Sequence, residues 1–468
     1  MPKKGKKVTP QQGFSPKTVV AFLLYLFALF FGSALFPMAT GLSLPVALIS
    51  CGIGTLLFML ITRGKMSFFL SANWMFLPAI LLIMNPDAAQ AVGSMAWNQA
   101  MGGWVVAVWI AGLIYIILAS LVRLFGMDKI ARFFPRRLIG PLVIVAGITS
   151  MATILEYHVF SPVRDFGASP YKTWIIFGVS LLATVLFFTF KKTRSVFRLA
   201  PAGIGMVAGL LATAVLDGTE LLFLSKDLHQ TLLFGAFAQG SSNPALFVFQ
   251  DLETYFGFWS YLHFDWNAIL SVCPLVFLAF GVHLVTMDRI DRKAETTLAQ
   301  EPGIDRSLVA EGICTMTSGL LSGVPMSLAS GNDTLLKKNK PSYQAALVAA
   351  SVVLILLAVF EYGTFLQNIF PRAVVAGSLI GTLAFIALRG VSLTFPTGLK
   401  IGKINWAWTL LIVVLGLGLS GVSFYNSLTH VWDAILIPGG LSLAPLSVIV
   451  FLAFSCFFVV TLIQNRRA

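Results

Sequence analysis

Apolar runs of about twenty residues, the length that crosses a bilayer as a helix, succeed one another along this chain with little between them. They lie near 17–41, 43–62, 68–84, 98–124, 136–157, 171–189, 200–217, 266–287, 307–323, 328–340, 342–364, 372–388, 404–421 and 441–463. In hydrocarbon every backbone N–H and C=O must be paired inside the spanning element, so runs of this kind are expected to be helices. Only 11% of the residues are charged and mean hydropathy is +0.87, whereas soluble domains carry about 25% charged residues. The expected fold class is therefore an all-α polytopic membrane protein with about fourteen spans.

Charge placement supports that count. With the N-terminus cytoplasmic, 28 of the 32 Lys and Arg residues fall on one side, and only Arg164, Lys172, Lys226 and Arg372 fall on the other. Positive residues concentrate on the cytoplasmic side of membrane proteins, and one missed span would scramble every later loop. Both termini are expected in the cytoplasm of an inner or plasma membrane protein. Topology accounts for the net charge of +13, so nucleic acid is not needed as a partner. Residues 1–16 read as a basic tail rather than a signal peptide, because many further spans follow. The four cysteines lie in apolar runs and the five histidines are scattered, so no metal site or cofactor is expected.

Short echoes divide the chain. Phe134-Pro135-Arg136 opens the fifth run and Phe370-Pro371-Arg372 the twelfth. Gly52-Ile53-x-Thr55 leads to Ser71-Ala72-Asn73, and Gly312-Ile313-x-Thr315 leads after the same interval to Gly331-Asn332-Asp333. Both echoes are seven spans apart, an odd number, so the two copies enter from opposite faces. Two halves, 17–217 and 266–463, are expected as a 7+7 inverted repeat, joined by an extracellular linker at 218–265. Inverted repeats with interrupted helices are a pattern of secondary transporters, and the interruptions mark the binding site. The short third and tenth runs, FFLSANWMFLP and MSLASGNDTLL, are the interrupted ones.

Those runs carry the candidate substrate contacts. Trp74 offers a flat face and an N–H, and Asn73 offers donor and acceptor, or else the two pack and cap a half-helix. Ser330, Gly331 and Asn332 open the tenth span, where a half-helix N-terminus favours an anion or a carbonyl. Asp333 is a carboxylate at membrane depth, able to bind a proton or cation or to cap a helix. His283, in LAFGVHLVTMDRI, suits proton relay or a bond to a neighbouring helix, with Thr286 one turn on. Asp288 reads as a boundary ion-pair member beside Arg289, and Arg372 as an interfacial or vestibule charge. No nucleotide-binding loop or nucleophile–base pair is present, so the chain is not expected to be an enzyme. Energy then comes from an ion gradient, or transport is passive.

Several stretches resemble the nucleobase–ascorbate transporter family, also called nucleobase:cation symporter-2. They are LFALFFGSALFPMATGL, GIGTLLFMLITRGKMSFFLSANWMFLP, FPRRLIGPLVIVAGI and EPGIDRSLVAEGICTMTSGLLSGVP. The resemblance covers roughly 20–390 and implies a core domain (spans 1–4 and 8–11, about 17–124 and 266–364). It implies a gate domain as well (spans 5–7 and 12–14, about 136–217 and 372–463). Substrate is implied between the broken third and tenth spans, with Asn73, Trp74, His283, Ser330, Gly331, Asn332 and Asp333 around it. A proton or sodium ion is the implied coupling ion, carried by His283 or Asp333, and a homodimer is implied.

This chain departs from the family pattern at two points. Val282 stands where the family has an acid before the histidine, and Gly331 stands where it has an acid or amide. The readings left open are a symporter of a purine, pyrimidine or similar planar base, an anion carrier for sulfate or a carboxylate, and a non-transporting sensor on the same scaffold.

Overall fold

In the computed structural model the described residues are 16–84, 93–160, 169–189, 200–223, 256–321, 323–329, 341–359, 369–395, 403–428, 435–437 and 441–467. The candidate residues Ser330, Gly331, Asn332 and Asp333 lie outside them. Nearly all the described structure is helical. Helix α1 spans Pro16–Thr40 and α2 Leu44–Ile61. Strand β1 (Leu70–Ala72), a 3-10 turn (Trp74–Phe76) and α3 (Leu77–Met84) follow. Next come α4 (Met95–Phe125), the short α5 (Met127–Ala131), α6 (Arg136–Leu155), α7 (Pro170–Thr189) and α8 (Pro201–Phe223). The second part contains α9 (Trp266–Ala294), α10 (Ile304–Leu320), β2 (Met326–Leu328), α11 (Pro341–Val359) and α12 (Arg372–Thr394). The hairpin β3–β4 (Ile435–Ile437, Leu441–Leu443) stands between α13 (Lys403–Leu428) and α14 (Pro445–Arg467). Eight of these helices are long and apolar enough to cross a membrane, and four shorter apolar helices accompany them.

Helix starts follow local chemistry. The Ser94 hydroxyl accepts from Trp97 N at 3.2 Å and the Asp265 carboxylate from Asn267 N at 2.9 Å, each satisfying an otherwise orphaned first-turn donor. Pro135 and Pro371 precede α6 and α12, so the paired Phe-Pro-Arg segments do open helices. These two helices pack closely where their glycines meet. A Cβ on Gly390 would stand 2.8 Å from the Gly140 carbonyl oxygen, and one on Gly140 would stand 3.0 Å from that of Gly390. Gly112 of α4 and Gly312 of α10 make the same reciprocal approach, at 2.7 and 2.8 Å. Small residues bring backbones together where lipid supplies no hydrophobic drive between helices.

Helix contacts sort the described elements into two groups. Helices α1, α2, α4, α10 and α11 pack among themselves, with α9 against α4, while α6, α7, α8, α12 and α13 form the other group.

The run expected to end at 217 continues as helix to Phe223. Asp217 and Glu220 ended the apolar pattern, yet both are buried. Lys172 of α7 reaches them at 2.5 and 2.9 Å, and Tyr171 donates to Glu220 at 3.3 Å. Pairing removes the penalty that made these residues read as loop. The last run also differs from expectation. Residues 441–443 are strand, and the helix starts at Pro445.

The third run is interrupted as expected. Residues 70–72 are extended, and a 3-10 turn leads into α3. The described part of the tenth run is also extended. The two strands pair antiparallel, Leu70 with Leu328, Ser71 with Ser327 and Ala72 with Met326. Two further bonds are mirror images, Asn73 N to Pro325 O at 2.8 Å and Ala329 N to Phe69 O at 3.3 Å. Two threonines repeat the mirror. Thr55 Oγ1 accepts from Leu70 N and Thr315 Oγ1 from Met326 N, both at 3.1 Å. This register makes Ser327 the counterpart of Ser71 and Ala329 that of Asn73. It corrects the equal-interval reading that matched Ser71 with Gly331, because the second copy is four residues shorter between threonine and strand.

Candidate functional site

The site is built where β1 and β2 meet. A cavity of about 290 Å³ opens beside them, lined by both strands, the 3-10 turn, α1, α9 and α10 from one group and α6, α7 and α12 from the other. Backbone at an interrupted span cannot pair within a helix. Here the two strands pair with each other instead, beside the cavity.

Asn73 is buried and caps the 3-10 turn, its side-chain oxygen accepting from Met75 N at 3.1 Å. Its Nδ2 donates to the hydroxyl of Tyr115 at 3.4 Å. Asn73 is thus a cap of the 3-10 turn that also lines the cavity. Trp74 follows it, half-buried, on the cavity wall, with its ring 5.4 Å from that of Phe36 at 52°. Ser71 and Ser327, opposite each other in the strand pair, line the same wall.

His283 is buried on α9 and joins two partners on α10. Its Nε2 is 2.9 Å from Ser307 Oγ, and its Nδ1 is 3.0 Å from Glu311 Oε2. Ser307 Oγ is also 2.9 Å from Ile304 O. If the single hydroxyl hydrogen goes to the Ile304 carbonyl, the imidazole Nε2–H donates to Ser307. In the neutral ring Nδ1 is then an acceptor, and it faces a carboxylate oxygen. Two acceptors 3.0 Å apart repel unless one proton lies between them. The approach lies off the hydrogen-bond line, so both atoms lack a linear partner, and both residues line the cavity. The other carboxylate oxygen of Glu311 accepts from Leu328 N at 2.8 Å. One carboxyl thus touches both the histidine and strand β2.

Glu311 was missed by sequence reasoning, although it stands in the quoted segment LVAEGICTM. Its signal was the general one, an ionisable residue inside an apolar run. It places a carboxylate beside His283 from the next helix. Val282 and Thr286 line the cavity, and Asp288 forms ion pairs with Arg136 at 2.5 Å and Arg292 at 2.9 Å. Arg372 is exposed at the start of α12. No cluster of three metal-binding side chains occurs among the described residues.

Paired extended segments inside a bundle of membrane-length helices, with a buried imidazole–carboxyl pair on a shared cavity, are what a membrane transporter would present. The chain belongs to the nucleobase:cation symporter-2 family, whose model, described as Permease family, matches residues 16–426. It is a transporter, not an enzyme. The uracil permease of Bacillus caldolyticus is 24% identical over 398 residues, covering 85% of this chain and 84% of the relative. The uracil permease of Bacillus subtilis (strain 168) is 24% identical over 421 residues, covering 86% of each. Among solved structures, the transmembrane domain of the cyanobacterial bicarbonate transporter BicA superposes with TM-score 0.55. That match is 16% identical and covers 88% of this chain and 97% of that one. At this identity the likeness is one of fold alone.

Proposed function

We propose that this protein is a proton-coupled permease for a planar nucleobase of the uracil type, working by alternating access at the cavity between the two interrupted spans. The observation that carries this reading is the His283–Glu311 pair, whose ring nitrogen and carboxylate oxygen lie 3.0 Å apart on the wall of the cavity that Trp74 also lines; one proton shared between them is the proposed coupling proton. Trp74 stacks the ring, and Asn73 and the pair bond its edge. Gly331, Asn332 and Asp333 belong to the same proposed site through the resemblance. Glu311 ties proton occupancy to the backbone of β2, so loading the pair and seating the substrate act on the same element.

In the same reading the chain is a 7+7 inverted repeat with cytoplasmic termini. A core of spans 1–4 and 8–11 moves against a gate of spans 5–7 and 12–14, and two copies form a dimer. Mirror-image bonds at Thr55 and Thr315 support the repeat, and the separate packing of the two helix groups supports the domains. Relatives named as uracil permeases favour a base over the alternative of a sulfate or carboxylate carrier.

The test is uptake of labelled uracil into vesicles containing the purified protein, under an imposed pH gradient or an imposed sodium gradient. Accumulation driven by the pH gradient and lost in Glu311→Gln supports the reading. Accumulation driven by sodium alone overturns proton coupling. The absence of any uracil uptake or binding overturns the substrate.

A further inference from the structure

The cavity reaches toward the end of α12, where Ser392 and Leu393 line it. Gly140 of α6 lies against Gly390 and Thr394, and Gly147 lies against Leu383 and Ala387, so α6 and α12 run antiparallel. The end of α6 therefore stands beside the start of α12, on the opposite face. There the helix closes in a single π-type turn, Glu156–Phe160, a distortion that recurs at functional sites. His158 of this turn crosses to the other helix group. Its Nε2 lies 3.0 Å from the carbonyl oxygen of Ala39. Ala39 is in the last turn of α1, where the closing carbonyls have no partner within the helix. Leu35, one turn earlier on α1, lines the cavity. Phe31 lines it too, and its ring lies 6.4 Å from that of Phe370, just before α12. One polar and one aromatic contact thus join the two groups beyond the cavity on this face.

A carbonyl only accepts, so Nε2 of His158 carries a ring hydrogen. In the neutral ring Nδ1 is an acceptor, and it is buried with no hydrogen-bond partner among the described residues. The whole residue is only 7% exposed. Protonation in this arrangement would bury a charged N–H without an acceptor. The negative end of α1 attracts an imidazolium, but an unpaired charged donor kept from water costs more. The contact therefore selects the neutral ring, and parting of the two groups on this face frees Nδ1 to water. The turn packs against α6, α7 and α12. Charged groups at this end are Glu156 on the turn itself, Arg372 on α12, and Lys172 on α7 with its partners Asp217 and Glu220. We infer that His158 is the latch of this face, and that it takes up a proton only when the face opens. In the proposed orientation this is the outer face, so acid outside favours the outward-open state. The inference rests on the alternating-access reading above and on no particular substrate.

Hydrogen–deuterium exchange of the purified full-length protein tests this without substrate, read by mass spectrometry on peptides covering 36–42 and 155–160. Each variant is compared with wild type at the same pH, which cancels the intrinsic pH dependence of exchange. His158→Gln keeps an N–H for Ala39 but does not titrate, and His158→Phe keeps a ring but donates nothing. At about pH 7.5 the glutamine variant is expected to be as protected as wild type, and the phenylalanine variant severalfold less so. An exposed imidazole titrates at about pH 6.5, so between about pH 7.5 and about pH 5.5 the open-to-closed ratio of wild type should rise about tenfold relative to His158→Gln. A phenylalanine variant as protected as wild type at the higher pH overturns the latch. An equal rise in the glutamine variant, or a rise shared with peptides of α4, overturns the proton at His158. Should a variant fail to fold, wild type at the two pH values carries the test, and equal responses of these peptides and those of α4 overturn the inference. Wild type that takes up uracil yet shows none of these changes sinks the latch alone. Wild type that shows none of them and takes up nothing sinks the alternating-access reading with it.

Discussion

Glu311 makes two separable contacts, and substitutions distinguish them. Gln at this position keeps a carbonyl for Leu328 N–H but holds no titratable proton. Glu311→Gln is expected to fold with a melting temperature near wild type, to lose concentrative uptake, and to keep exchange of labelled for unlabelled base. Normal concentrative uptake in that variant refutes the proton assignment. Glu311→Ala leaves the Leu328 N–H buried without an acceptor, a cost of about 1–3 kcal/mol, read as a lowered melting temperature in detergent. A second residue-scale expectation concerns Lys172, which neutralises Asp217 and Glu220 in a buried cluster. Lys172→Met strands two carboxylates and is expected to cost about 3–5 kcal/mol. Restoring balance with Asp217→Asn in the same chain should recover much of the lost stability.

At the scale of elements, the two interruptions are held by equivalent bonds, so equivalent substitutions should behave alike. Thr55→Val and Thr315→Val each remove the acceptor for one strand N–H while preserving volume. Each is expected to cost about 1–3 kcal/mol, and markedly unequal effects on the melting temperature would contradict the mirrored arrangement. Helix contact at Gly112 and Gly312 gives a further check. A Cβ at Gly112 meets the Gly312 carbonyl at 2.7 Å and the Met316 side chain at 2.4 Å. Backbone cannot yield as a side-chain tip can, so Gly112→Leu is expected to prevent α4 and α10 from packing and to abolish a folded, monodisperse product. The interrupted third run was legible in the sequence because Ser71 and Asn73 break an otherwise apolar stretch. The register between the interruptions was not. Equal intervals in the chain suggested one alignment, whereas hydrogen bonding chose another four residues away.

At the scale of the whole molecule, the ion pair of Arg136 on α6 with Asp288 on α9 joins the two helix groups. Both side chains are about 40% exposed, so the pair adds little to stability. In the proposed alternating-access reading, its effect belongs to the movement of one group past the other. Arg136→Gln is expected to change the maximal uptake rate while the uracil dissociation constant stays within about twofold, since only the balance between conformations shifts. A changed dissociation constant with an unchanged rate would place Arg136 in the site instead.

Hydropathy and charge bias determined, from the sequence alone, that this is a helical membrane protein, and located most of its helices to within a few residues. That is legible because the cost of placing a residue in hydrocarbon is local and sums along the chain. The same locality misled at Asp217 and Glu220, where a lysine on another helix cancels the cost. The Phe-Pro-Arg echo was readable because proline ends one element and opens the next by its own geometry. What only the tertiary structure decided is the chemistry of the site. Neither the pairing of His283 with Glu311 nor the cavity they share is written in either helix, because both depend on how α9 and α10 face each other.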